Sequence, residues 1–218
     1  MSASEAEERA QFTLAMRAKG VGDLGLLRAL ERAPRSLFMP PRFADISSRD
    51  VALPIGCGQT SPPPSTLAAM IAALRLKPSD DICEIGTGTG YCTALLAQLA
   101  KEVVSLERFQ TLALEAAARI EAFGLANVAV LWMDGFDFHT RGRRFDRVIA
   151  HGLIEPPARQ FLSLLAPGGA LVAALAGPGK GEQRIVRLTL EDEGPVHVGE
   201  VGPARGLRPL ERGLSRAF

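Results

Sequence analysis

The stretch Glu84-Ile85-Gly86-Thr87-Gly88-Thr89-Gly90-Tyr91 limits the possible folds more than any other part of the chain. An apolar run at 81–85 leads into it and an apolar helical pattern at 91–100 leaves it. Three glycines at alternate positions between a strand and a helix allow backbone to approach a neighbour closely, which a side chain would forbid. The same strand–helix alternation continues downstream. Strands are predicted at 81–85, 103–107, 128–133, 147–150 and 170–176, and helices at 91–100, 109–123 and 157–165, with Gly124 a helix stop. Strands alternating with helices imply a parallel sheet covered on both faces. Segments 184–190 and 196–201 alternate apolar and polar with no helix between them. They predict an antiparallel edge, hinged at 191–195. The expected fold is α/β, a doubly wound, mostly parallel Rossmann-like sheet.

The chain upstream of residue 80 is organised differently. Helices are predicted near 5–19, from Asp23 as N-cap to Pro34, and at 65–76. Between the last two, residues 34–64 carry Pro34, Pro40, Pro41, Pro54, Pro62, Pro63 and Pro64, together with Gly56 and Gly58. Proline at this density excludes regular helix. A division follows from this change of pattern: N-terminal helices and a proline-rich segment over 1–64, packed on a core over 65–218 as one compact unit.

Composition removes several classes of function. Twenty-five Lys and Arg stand against 24 Asp and Glu, so the basic excess that nonspecific nucleic-acid binding needs is missing. No apolar run approaches the roughly 20 residues of a membrane span. Glu5, Glu7, Glu8 and Arg9 occupy the place of a signal peptide's apolar stretch. Cys57, Cys83 and Cys92 are odd in number and lack metal spacing, which fits a reducing, cytoplasmic setting. His139, His151 and His197 are isolated in sequence, so no metal site is expected.

The ends of the predicted strands describe a ligand, because open α/β sheets bind at the carboxyl ends of their strands. The glycine loop departs from the dinucleotide GxGxxG spacing, and Glu84 at its head would repel phosphate. A cationic or zwitterionic group suits it, directly or through water. Glu107, ending the second parallel strand 21 residues after Gly86, can accept both ribose hydroxyls of a nucleoside. Asp134 and Gly135 close the third strand, the first to accept an adenine amino group and the second to let the base lie against backbone. A nucleoside with a charged, phosphate-free tail is implied, and S-adenosyl-L-methionine meets that description. The candidate cofactor residues are Glu84, Gly86, Thr87, Gly88, Gly90, Glu107, Asp134 and Gly135.

The loop resembles motif I of class I methyltransferases, specifically the protein-L-isoaspartate O-methyltransferases. Three further stretches carry the resemblance. Ala33-Pro34-Arg35-Ser36-Leu37-Phe38-Met39-Pro40 is similar to that family's VPRHLFVP element. Asp50-Val51-Ala52-Leu53-Pro54-Ile55-Gly56-Cys57-Gly58-Gln59-Thr60 is similar to its DxxLPIGxGQT element. Leu165-Ala166-Pro167-Gly168-Gly169 is similar to LKPGG. The resemblance implies transfer of a methyl group to a carboxylate of damaged protein or peptide. It also implies that the 54–64 segment forms the acceptor side. Two departures stand out. The family continues GQT with ISQP, whose serine is given a catalytic role, and Pro62 takes that place here. The family run VTAAAPEIP is replaced by Ala150-His151-Gly152-Leu153-Ile154-Glu155-Pro156-Pro157.

An acceptor carboxylate is ionised at neutral pH, so alignment and exclusion of water matter more than a base. Thr60 and Ser61 are the candidates for the aligning hydroxyl, with a purely backbone-satisfying role open for both. His151, after the fourth strand, is a further residue that can face the pocket. Asp146 is read as structural, Trp132 as core, and Cys57 as no nucleophile. The alternative to an isoaspartyl enzyme is a diverged relative that methylates another acceptor, or a non-catalytic cofactor-binding protein.

Overall fold

The computed structural model describes residues 3–140, 142–155, 158–190 and 196–216. Helices α1 (Ala3–Ala18), α2 (Leu24–Arg32) and α3 (Pro64–Leu74) precede the main sheet. The Asp23 carboxylate accepts from the Leu26 N–H at 2.8 Å and so starts α2. Pro64 opens α3, where a missing N–H loses nothing. The 34–64 stretch is more ordered than proline content alone suggests. Short 3-10 turns occupy Arg35–Leu37, Pro41–Ile46 and Gly56–Gly58. Strands β1 (Leu53–Pro54) and β2 (Thr60–Ser61) pair antiparallel around the last of these turns. Pro54 is exposed at the ribbon's edge, where it owes no ladder hydrogen bond.

The main sheet has the order β5-β4-β3-β6-β7-β8-β9. Its strands are β3 (Asp81–Ile85), β4 (Glu102–Glu107), β5 (Val128–Trp132), β6 (Phe145–Leu153), β7 (Leu165–Ala176), β8 (Gln183–Leu190) and β9 (Val196–Ala204). Strands β3 to β7 pair in parallel, whereas β7–β8 and β8–β9 are antiparallel. This is the doubly wound sheet with an antiparallel edge that the sequence pattern implies. The 191–195 hinge lies outside the described residues.

Helices α4 (Tyr91–Ala97), α5 (Gln110–Ala122) and α6 (Arg159–Leu162) flank the sheet. Several boundaries differ from expectation, β7 among them, which starts at Leu165 rather than 170. Strand β6 runs from Phe145 rather than 147, and α6 is a single turn rather than the helix expected over 157–165, whose first residue lies outside the described ones. The LAPGG element enters β7 directly, because Phe145 pairs with Leu165 at its start.

Strand alternation places the core on both faces. Ile82, Val103, Ile149 and Val172 join one buried cluster, and Cys83, Val104, Val148 and Leu171 join the other. The first cluster also takes in Phe12 and Met16 of α1, Leu26 and Leu30 of α2, and Leu67 and Ile71 of α3. Trp132 is a correction to the sequence reading. It is half-buried at the edge strand, and its indole N–H donates to the Arg108 carbonyl at 3.0 Å. Asp146 accepts from the Asp81 N–H at 2.8 Å and ties the start of β6 to β3.

Candidate active site

Chain order reverses between β3 and β6, and the crevice at such a point is where open α/β sheets bind ligands. A cavity of about 900 Å³, counting its open mouth, lies there. Its walls bring together the ends of β3, β4 and β5, the β1–β2 ribbon, His151, and residues 208–211 from beyond β9.

The glycine loop leaves β3 with Gly86, Gly88 and Gly90 all at positive φ, 91°, 58° and 87°. Their roles separate. Gly86 and Gly88 line the cavity, and Gly86 N–H donates to the Leu106 carbonyl at 2.8 Å. Gly90 lies outside the lining, and a side chain there would sit 3.3 Å from the Ala116 Cβ of α5. It serves helix packing. Thr87 is buried, with its hydroxyl 2.6 Å from that of Ser105.

Glu107 is buried on the cavity wall, and two backbone N–H groups hold its carboxylate. Gly88 donates to Oε2 at 2.8 Å and Phe109 donates to Oε1 at 3.0 Å. Burial raises its pKa above the ordinary carboxylate value, and the backbone donors oppose that rise. Two engaged oxygens still leave about two lone pairs for ribose hydroxyls. Asp134 accepts from Phe136 N–H at 2.9 Å and from Gly213 N–H at 2.5 Å. At Gly135 a Cβ would lie 2.6 Å from the Ile85 Cγ2, so backbone alone fits beside that wall.

Glu84 is placed differently from the expectation. Strand parity points it, like Ile82 and Ser105, toward α4. It is fully buried and absent from the lining. Oε2 accepts from Thr93 at 2.5 Å and from Ser105 at 2.7 Å, and Oε1 is 2.8 Å from His151 Nε2. A direct contact with a cationic ligand is therefore closed to it. Glu84 instead fixes His151, which does line the cavity with its ring Nδ1 buried and without a partner. Ligand atoms of Glu84, Cys92 and His151 lie within 4.8 Å of one another, a grouping that sequence spacing did not reveal. The carboxylate there is already spent on hydrogen bonds, and the Cys92 thiol is pushed far up by burial and by the adjacent Glu84.

On the side of the proline segment, Thr60, Ser61 and Pro62 all line the cavity. The Ser61 hydroxyl points to Arg35, whose Nη2 donates to it at 3.1 Å and to the Pro62 carbonyl at 2.9 Å. Arg35 Nη1 donates to the carbonyls of Ser47, Arg49 and Val51. Arg35 is 2% exposed, and burial pushes its pKa down to about 10. It is the internal strut of the proline segment. Cys57 carries the turn at φ 56°, and burial and nearby Glu107 raise its thiol pKa.

A C-terminal strap forms one wall of the cavity, and no sequence pattern signalled it. Leu153 N–H donates to the Arg208 carbonyl at 2.8 Å, and Leu210 N–H to the Leu153 carbonyl at 3.0 Å. Ser215 N–H donates to the Arg108 carbonyl at 2.9 Å. A Cβ at Gly152 would lie 2.6 Å from Leu210 Cγ and 2.9 Å from the Arg208 carbonyl. The departure at 150–157 therefore contains the glycine that admits the strap.

Fold, glycine loop and acidic strand ends together define a class I S-adenosylmethionine-dependent methyltransferase. The chain belongs to the protein-L-isoaspartate(D-aspartate) O-methyltransferase family, whose pattern it matches over residues 8–205. A protein-L-isoaspartate O-methyltransferase of Rhodopseudomonas palustris (strain BisB5) is 42% identical over 186 residues, 85% of each chain. One from Azorhizobium caulinodans is 39% identical over 217 residues, 99% of each. Among solved structures, a Plasmodium falciparum protein-L-isoaspartate O-methyltransferase in complex with S-adenosyl-L-homocysteine shares the fold. Its TM-score is 0.78 at 16% identity, over 92% of this chain and 97% of that one.

Proposed function

We propose that the protein methylates the free carboxylate of isoaspartyl residues in damaged proteins or peptides, using S-adenosyl-L-methionine. The observation that carries this is a single cavity that joins the cofactor-type strand ends to the proline segment of the DxxLPIGxGQT element. Gly86 and Gly88 present bare backbone to the bound cofactor, Glu107 receives the ribose hydroxyls, and Asp134 with Gly135 frames the adenine. When bound, the cofactor supplies a methyl group activated by a positively charged sulfur. Leu106, Phe109, Leu112 and Met133 line the cavity and exclude water from that centre. The acceptor arrives already ionised, so the residues of residues 54–64 orient it and take up no proton. The first 64 residues thus act as the acceptor side, packed on a cofactor-binding core.

Support for a cytoplasmic location is the odd cysteine count and the absence, among the described residues, of any helix long and apolar enough to cross a membrane. A second acceptor class is favoured by Pro62, which stands where the family has its serine.

The test is transfer of labelled methyl to isoaspartyl peptide, beside aspartyl and small-molecule carboxylates. Slow isoaspartyl-specific turnover is expected, because misplacing an aligning group by about 1 Å can lower a rate on the order of 100-fold. Thr60→Val should lower turnover more than Ser61→Ala, since Arg35 already holds the Ser61 hydroxyl. Turnover confined to another carboxylate would establish the second acceptor class instead.

A further inference from the structure

An acceptor that is part of a protein must be recognised at the cavity mouth, where a polypeptide can reach. Two arginines line the cavity, Arg108 and Arg208. Arg108 is spent. Its Nη1 pairs with Glu211 at 3.0 Å, its Nε donates to the Gly213 carbonyl at 2.9 Å, and it lies 4.4 Å over the Phe109 ring. Arg208 has no carboxylate partner among the described residues. Among the described residues, its side chain bonds from Nη1 to the Gly58 carbonyl, in the turn that leads into Thr60. A guanidinium has five N–H donors, so several remain.

The backbone around Arg208 is held independently of its side chain. Its carbonyl accepts from Leu153 N–H at 2.8 Å. Leu207 is clamped by Gln183, which donates to its carbonyl at 2.7 Å and accepts from its N–H at 3.1 Å. Next to it, a Cβ on Gly206 would lie 3.0 Å from that of Ala52, so the strap is pressed against the acceptor segment. An unpaired cation is thus fixed at the exposed edge of the cavity, bridging strap and acceptor turn.

We propose that Arg208 is the residue that recognises the acceptor's carboxylate, in place of the hydrogen bond that Pro62 cannot make. This rests on the acceptor being a carboxylate. A charge-assisted bond to one oxygen holds the group while the other oxygen faces the methyl donor. The exposed position suits a peptide, and the positive charge discriminates against a neutral carboxamide of the same shape.

The experiment measures binding of an isoaspartyl peptide and of its isoasparaginyl counterpart, which carries a carboxamide in place of the carboxylate. Both are titrated into protein saturated with S-adenosyl-L-homocysteine. Wild type should prefer the carboxylate by about 10- to 100-fold, the range of a hydrogen bond to a charged group. Arg208→Gln should bring the ratio close to one, and Arg208→Lys should restore part of it. The ratio is internal to each variant, so a general loosening of the strap lowers both affinities and leaves it unchanged. An undiminished preference in Arg208→Gln overturns the role of Arg208 alone. Absence of any preference in wild type overturns the carboxylate acceptor as well.

Discussion

Replacing Arg35 with Met tests what holds the acceptor side together. The guanidinium bridges two parts of the proline segment, the 47–51 carbonyls through Nη1 and Ser61 with Pro62 through Nη2. Three of its bonds are 3.1 Å or shorter, to Val51 O, Ser61 Oγ and Pro62 O. Each buried acceptor left without a donor costs about 1–3 kcal/mol. Relief of the guanidinium's own desolvation, visible in its lowered pKa, offsets part of that. The expected net loss is about 3–5 kcal/mol, three unsatisfied acceptors less the desolvation recovered. For a chain of this size that lowers the melting temperature by about 6–20 °C. Arg35→Lys should recover less than half, since one ammonium cannot reach both sets of carbonyls. Thermal unfolding gives the magnitude, and hydrogen exchange gives the location. Amides of 51–62 should lose protection first, while those of β3 and β4 keep theirs. A melting temperature within about 2 °C of wild type, with 51–62 still protected, would refute the strut.

Two other perturbations have signs fixed by the geometry. Binding of S-adenosyl-L-homocysteine should weaken up to tenfold per pH unit as pH falls through the raised pKa of Glu107, because ribose hydroxyls donate to the ionised form. The apo protein responds oppositely: a raised folded-state pKa adds stability at low pH that is lost as pH rises through it. Calorimetry between about pH 7.5 and 5 checks the binding arm, with Glu107→Gln expected to be flat and an equally flat wild type counting against the assignment. Gly152→Ala should dislodge the strap, since its Cβ would overlap Leu210 and the Arg208 carbonyl. A loss of about 1–3 kcal/mol and faster tryptic cleavage after Arg205 or Arg212 are expected, and unchanged cleavage would show that the strap does not depend on this glycine.

The strand-end wall of the cavity was legible because its determinants are local. A strand, three alternate glycines and a helix are contiguous, and acidic residues end the next two strands, so the spacing reports the site before any tertiary contact is known. Glu84 shows where this fails. Its position at the head of the loop suggested a ligand contact, yet strand parity turns it under α4. There Thr93, Ser105 and His151 take both oxygens. Only the third of these could be suspected from the chain, as a residue after the fourth strand. That it meets a residue 67 positions away depends on β3 and β6 being neighbours in the sheet.

The opposite wall was legible only in its 54–64 segment, because the rest is assembled from segments with no common period. Arg35 lies within an element whose resemblance to its family was recognised, yet nothing local says that its side chain reaches residues 47–62. The strap has neither strand alternation nor a helical stripe, and its bonds to Leu153, Arg108 and Asp134 reach at least 55 positions back along the chain. The two sequence departures acquire a physical link in the fold. Pro62 stands without a donor in the cavity lining where the family serine would be, and Gly152 makes room for a strap that brings Arg208 into the same lining. If the two changes compensate, Pro62→Ser should reduce the dependence of peptide binding on Arg208. The effects of Pro62→Ser and Arg208→Gln would then combine non-additively, as expected of residues that share one ligand group.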